Sequence, residues 1–176
     1  MSDQLILRSL SNGDEASFLE AREKWVNDGV EFSSAYDPKM DWYEYLSLLH
    51  ERNFAKDLLE GRVADTNLYG FLGKKIVGRV SIRHTLNSFL KNYGGHIGYG
   101  ILPEYRRRGF ATEMLRQSLS FCRGLGIKKA LVTCDDDNIG SIKTIERNGG
   151  VLETTYKNEQ FNVFTRKYWI EIKGEI

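Results

Sequence analysis

The stretch from His96 to Leu125 leaves the chain few folds to choose from. The run HIGYGIL favours an extended strand and is closed by Pro103, which cannot donate a ladder hydrogen bond. Three arginines, Arg106, Arg107 and Arg108, then run into Gly109. From there Ala111, Met114, Leu115, Ser118, Leu119 and Cys122 recur at helical spacing as far as Leu125. A strand therefore feeds a helix through a short basic loop. The first-turn amides of that helix have no intrahelical partners, and with the helix dipole they favour an anion. Gly109 lets a phosphate approach the backbone with no Cβ in the way, and Ala111 keeps the next turn narrow.

The rest of the chain alternates between two periodicities. LILRSL reads as a first strand. Residues 14–28 and 41–53 carry helical spacing, with Phe18, Ala21 and Trp25 in the first and Trp42, Tyr45, Leu46 and Leu49 in the second. TNLYGFLG and KKIVGRVSIRH form a hairpin near Gly73. After the basic loop and its helix come a strand, KKALVTC, and a short helix over 138–148 ending at Gly149. Two strands, GVLETTY and FNVFTRKYWIEI, close the chain. The order β, α, α, β, β, β, α, β, α, β, β predicts mixed α/β layering around a mostly antiparallel sheet flanked by helices. With 176 residues, 41% of them hydrophobic, and no linker or repeat, residues 1–176 read as a single domain.

Composition removes several classes of function. A net charge of +1 argues against a general polyanion binder, so an anion must be held locally. No stretch approaches the ~18 apolar residues of a membrane span, and the N-terminus lacks a secretory pattern, so the chain reads as cytoplasmic. Cys122 and Cys134 make no disulfide framework, and His50, His84 and His96 are too scattered for a metal site. Two nucleotide fingerprints fail: GYGILP has Pro103 where a third glycine belongs, and no G-x-x-x-x-G-K-[ST] occurs.

What does fit is Arg106-x-x-Gly109-x-Ala111, which resembles the [QR]-x-x-G-x-[GA] pyrophosphate loop of the GNAT superfamily of acyl-CoA-dependent N-acetyltransferases. HIGYGILPEY before it and DDDNIGSIKTIERNGG after the next strand resemble that family's cofactor-binding segments in the same order, over roughly 75–155. The resemblance implies a fold in which two neighbouring parallel strands, here 96–102 and 129–134, splay apart to hold the pantetheine arm. It implies acetyl-CoA as acyl donor and no metal. Its cofactor-binding residues here are Ile101, Leu102, Arg106, Arg107, Arg108, Gly109, Phe110, Ala111, Asn138 and Ser141. The implied reaction is direct attack of a primary amine on the thioester. An amide of Ile101 or Leu102, near a strand bulge permitted by Gly98 and Gly100, would meet the oxyanion.

Other roles stay open. An amine with a pKa near ~10 needs a base, for which His96, Asp135 and His84 are candidates. Bland readings compete: Asp135, Asp136 and Asp137 suit a helix start, Asn138 suits an N-cap, and both histidines suit a strand wall. The family often places a tyrosine seven residues after the asparagine as acid for the leaving thiolate, but Ile145 stands there. Ser141 is the nearest polar residue on that helix face.

Residues 11–46 hold nine acidic residues, Glu31 among them, against three basic ones. Over 105–147 nine basic residues face five acidic. Two opposed fields suit an anionic cofactor and a cationic amine, on a small molecule or peptide, bound with Arg83, His84 and Glu31. Trp25, Phe32, Tyr36, Trp42, Tyr43 and Tyr45 offer either a lid or ordinary packing. An acyl-CoA sensor without turnover is the alternative, a nucleic-acid module using RRRG is disfavoured, and a homodimer is compatible with the chain.

Overall fold

The computed structural model describes residues 4–29, 35–54, 62–159 and 161–173. Among these residues, seven strands and four α-helices follow the expected order. Strand β1 (Ile6–Arg8) is followed by α1 (Glu15–Asn27) and α2 (Trp42–Arg52). Strands β2 (Asp65–Leu72), β3 (Lys75–Arg83) and β4 (Ile97–Ile101) lead to α3 (Phe110–Gly124). Then come β5 (Lys129–Asp135), α4 (Ile139–Arg147), β6 (Gly150–Asn158) and β7 (Val163–Glu171). The β2–β3 turn is two residues long, and Gly73 supplies the positive φ, 57°, that such turns need.

The strands form two antiparallel sheets, β1-β2-β3-β4 and β5-β7-β6, so the mixed α/β, mostly antiparallel architecture is as expected. Strands β4 and β5 are neighbours without a ladder. They meet where the His96 N–H donates to the Leu131 carbonyl at 2.7 Å, and the Leu131 N–H donates back to Nδ1 of the His96 ring at 2.9 Å. The imidazole stands where the next carbonyl of a ladder would be. Gly95 makes this approach feasible: its φ is 65°, and a Cβ there would lie 2.5 Å from the Leu131 oxygen. Beyond the junction, Ile97, Gly98 and Tyr99 on one strand and Thr133, Cys134 and Asp135 on the other line a shared cleft. Both sets follow the junction in sequence, so the strands run the same way and part as they go.

Period-two alternation splits the first sheet into two unlike faces. Leu68, Val80, Ile82, Ile97 and Ile101 pack with Met114 and Leu115 of α3 in the main core. The opposite face, read across the register, carries Asp65, Asn67 and Tyr69, then Arg83, Ser81 and Arg79, then Gly98 and Gly100. Helices α1 and α2 cover part of that face with an aromatic core of Phe18, Trp25, Trp42, Tyr45 and Tyr69. Trp25 sits directly on Gly100, where a Cβ would lie 3.2 Å from its indole ring. Three of the aromatics considered for a lid, Trp25, Trp42 and Tyr45, are thus buried packing residues. Tyr36 is half-buried edge-on against Phe18, Tyr43 is exposed, and Phe32 lies outside the described residues.

Candidate active site

The cleft between β4 and β5 has a volume of about 520 Å³. It opens beyond the strand junction. Residues before β4 contribute to its walls: Leu90–Gly94 forms a π-helical turn anchored by buried Leu90, an element the sequence pattern does not announce. From α4 the cleft receives Ser141, and at the start of that helix Asn138. The Asn138 Oδ1 accepts the Ser141 N–H at 3.0 Å, so Asn138 is an N-cap whose side chain also faces the cleft.

At the outer end of β4 the basic loop opens α3. Gly109 is left-handed, with φ 83°, and no side chain caps the helix. The first turn's return bond is Glu113 N–H to the Gly109 carbonyl, 3.1 Å, leaving the amides of Phe110, Ala111 and Thr112 without intrahelical acceptors. Nothing lies within 4 Å of where a Gly109 Cβ would be, so glycine is required by backbone conformation and the approach to those amides is open. Arg107 is also left-handed, φ 60°. Arg107 and Arg108 are exposed, and the Arg108 guanidinium lies 5.2 Å from the Phe110 ring. Arg106 is tethered instead. Its Nε donates to the Ile101 carbonyl at 3.1 Å and its Nη2 pairs with Asp28 at the end of α1.

The strand amides divide by alternation. The Leu102 N–H is held by the Val77 carbonyl at 2.9 Å, so Leu102, fully buried, cannot offer the oxyanion donor expected of it. Antiparallel pairing then turns the amides of Ile97, Tyr99 and Ile101 toward the open edge and the cleft. The bulge expected in β4 is absent, since its register against β3 runs unbroken; the shift lies at Gly70/Phe71 in β2.

Among the candidate bases, His96 is buried and its Nδ1 lone pair is engaged by Leu131. Burial lowers its pKa, with Arg83 adding to the effect, so the ring is neutral with its proton on Nε2. His84 is not in the cleft: its Nε2 lies 2.8 Å from Thr66 Oγ1, on the face opposite Arg83. Asp135 is exposed on the cleft wall. Glu31 lies outside the described residues. Ile145, at the position the family often gives to tyrosine, is fully buried in the main core.

One side chain was missed from the sequence. Tyr99 points from β4 toward α4, and its hydroxyl donates to the Ser141 carbonyl at 3.4 Å. Burial pushes its pKa up to about 12. Beside it the Cys134 thiol is pushed up to about 11, again mainly by burial, so it is not a thiolate nucleophile at neutral pH. Among the described residues no three His, Cys, Asp or Glu side chains gather as a metal site.

Residues 4–151 match the acetyltransferase (GNAT) domain family, most of the chain. The chain is a GNAT acetyltransferase. Members of this family use acetyl-CoA as acyl donor, and the uncapped, arginine-lined start of α3 together with the β4–β5 cleft fits such a molecule. No curated protein matches the chain. Solved GNAT structures match it over nearly the whole length. The ribosomal-protein-S5-alanine acetyltransferase from Vibrio fischeri has a TM-score of 0.67 at 14% identity, covering 96% of this chain and 93% of its own. A chimera of the Vibrio cholerae spermidine N-acetyltransferase SpeG with hSSAT has 0.63 at 19%, covering 96% of each. A ribosomal L7/L12 α-N-protein acetyltransferase in complex with coenzyme A has 0.66 at 18%, covering 99% and 97%. At these identities the likeness is one of fold.

Proposed function

We propose that this GNAT chain transfers an acetyl group from acetyl-CoA to a primary amine, on a small molecule or a peptide, by direct attack within the β4–β5 cleft. The observation that carries this reading is the fifteen-residue α3, which begins with no side-chain cap and is ringed by Arg106, Arg107 and Arg108. Bound acetyl-CoA supplies the activated acyl group. The amides of Phe110 and Ala111 and the exposed Arg107 and Arg108 would hold its phosphates, with Arg106 and Gly109 shaping the loop. Asn138 and Ser141 would flank the pantetheine arm, and the outward amide of Tyr99 or Ile101 would donate to the acetyl oxygen as it gains charge.

For the amine's proton we propose Asp135, directly or through water, because it is the acidic group on the cleft wall. His96 is better cast as the pin of the strand junction. For the proton needed at sulfur, the Tyr99 phenol joins Ser141. Protonated across the neutral range and hydrogen-bonded to the Ser141 carbonyl, it offers from β4 what Ile145 withholds from α4. Tyr99→Phe should therefore lower kcat about ten-fold or more with CoA affinity little changed.

Among the similar structures are a spermidine N-acetyltransferase chimera and acetyltransferases of ribosomal proteins, so the acceptors of those proteins present an amine on a small molecule or on a polypeptide. The acid-rich segment is a weaker guide to the acceptor than its count implies. Asp14 pairs with Arg8, Glu20 with Lys24 and Asp28 with Arg106, while Asp41 and Glu44 cap α2. A panel of amines incubated with acetyl-CoA while free thiol is followed tests the transferase reading. Tight CoA binding without thiol release from any amine would favour the sensor alternative, for which Ile145 is the motivating residue.

A further inference from the structure

Arg83 ends β3 on the cleft wall, and among the described residues its guanidinium has no ion-pair partner. It lies against Gly98, where a Cβ would come within 3.0 Å of Nη1, and Nη1 donates only a long 3.3 Å hydrogen bond to the Gly94 carbonyl. The facing acid in the register is Asp65, but that carboxylate is saturated. Its Oδ1 takes Arg52 Nε and Nη2, both at 2.8 Å, and its Oδ2 takes Asn67 Nδ2 at 2.8 Å and Ser81 Oγ at 3.4 Å. Among the described residues no carboxylate forms an ion pair with Arg83. A guanidinium does not shed its proton, so a half-buried one that lines a ligand cleft without a carboxylate partner suits an anion from the ligand.

The cofactor's own phosphates belong at the other end of β4. Gly98 precedes Ile101 by three residues, about 10 Å of extended strand, and the arginine loop begins beyond Ile101. The anion at Arg83 therefore comes from the acceptor. Resting on the transferase reading above, we infer that the acceptor carries a carboxylate a few bonds from its primary amine, and that Arg83 binds this carboxylate. Such an acceptor is a free amino acid or a peptide with an acidic residue near its amino terminus. Its amine reaches the acetyl group beside Gly98 while its carboxylate takes the guanidinium fork, which suits two carboxylate oxygens. Arg83 is then a specificity residue.

The test uses matched pairs: a free amino acid against its amide, and a tripeptide with aspartate second against the same peptide with asparagine. Thiol release gives kcat and KM for each, in the wild type and in Arg83→Gln and Arg83→Lys, with thermal melting as the check on folding. The expected result is a preference of about ten- to hundred-fold for the carboxylate member of one pair, expressed in KM. Arg83→Gln abolishes that preference, Arg83→Lys keeps part of it, and the neutral members change little. Which pair shows it separates the amino acid from the peptide. Equal kcat/KM within both pairs in the wild type overturns the inference, a comparison that needs no variant to fold. So does an Arg83→Gln that lowers kcat by one factor for every acceptor, which places Arg83 on the acetyl oxygen instead. If no amine releases thiol, the transferase reading fails separately. Calorimetric binding of the same pairs to the CoA-loaded protein then decides Arg83, with equal affinities overturning it.

Discussion

Two ways of starting a helix coexist in this molecule. Helix α2 closes its own first turn: Asp41 accepts the Tyr43 N–H at 2.8 Å, and Glu44 reaches back to the Asp41 N–H at 3.0 Å. The turn that leads into α1 does likewise with Ser11 and Asp14, and α4 uses Asn138. Helix α3 does none of this, although at fifteen residues it is the longest of the described helices. Its mouth holds a left-handed glycine, and the three arginines beside it are at the end of the helix where the dipole disfavours positive charge. Local stability would choose the opposite arrangement. An unsatisfied, repulsive helix start beside capped ones is what the proposed binding of the CoA phosphates at α3 would account for.

That contrast breaks most directly at Gly109. Gly109→Val forces a branched residue to φ 83° and puts a Cβ in the path of the phosphates. CoA affinity, read by calorimetry, should fall by about a hundred-fold, with the KM for amine unchanged and a stability loss of about 1–2 kcal/mol. A folded variant with wild-type CoA affinity would show that α3 starts like the others. Next in size, Arg107→Ala with Arg108→Ala should weaken CoA about ten-fold and flatten its salt dependence. Arg106→Ala should also lower the melting temperature, because Arg106 ties the loop to Asp28 and Ile101.

At the capped starts the signs reverse. Asp41→Ala should cost about 1 kcal/mol in denaturant unfolding and leave CoA binding alone. Asn138→Ala should show both effects, since that side chain caps α4 and faces the cleft. The smallest expected effect lies in the pH dependence at Asp14. Hydrogen bonds from Arg8 first, and also from Ser11, hold its pKa down to about 2 against burial. A depressed carboxylate pKa contributes stability that is present above the ordinary value near ~4 and lost as pH falls from there toward 2. Asp14→Asn should flatten that stretch of a stability–pH profile. Because the partner Arg8 is partly exposed, solvent screens the pair and the change is small, and an unaltered profile would show that Arg8 adds nothing at this cap.

How far these features can be read from sequence depends on how local they are. The strands, the helices and the mouth of α3 announce themselves through periodicity and through Pro103 and Gly109, because each is set by neighbours a few residues away. The division of labour between Arg83 and His84 was readable too. Adjacent residues on a strand face opposite ways, so the two could not serve one site as first supposed. What the sequence hides is contact at long range. His96 looks like any strand histidine until Leu131, far along the chain, donates to its ring. Tyr99 gains a role only because α4 brings Ser141 to its hydroxyl. The acids of residues 11–46 count as a field in one dimension, but in the folded chain most of those described are spent on nearby cations and caps.

The His96 junction bears on how the protein opens. One sheet is built wholly from residues 6–101 and the other from 129–171, so each ladder can zip without the other. The sole main-chain hydrogen bond between them, among the described residues, is the one from His96 to Leu131. The seam of least backbone cohesion thus coincides with the cleft, and a ligand lying in it acts as a clasp across two folding units. In amide hydrogen exchange, CoA should slow His96 and Leu131 through sub-global opening, by up to the factor 1 + [L]/Kd. Amides in the middle of the β2–β3 and β6–β7 ladders, which exchange without parting the seam, should hardly respond.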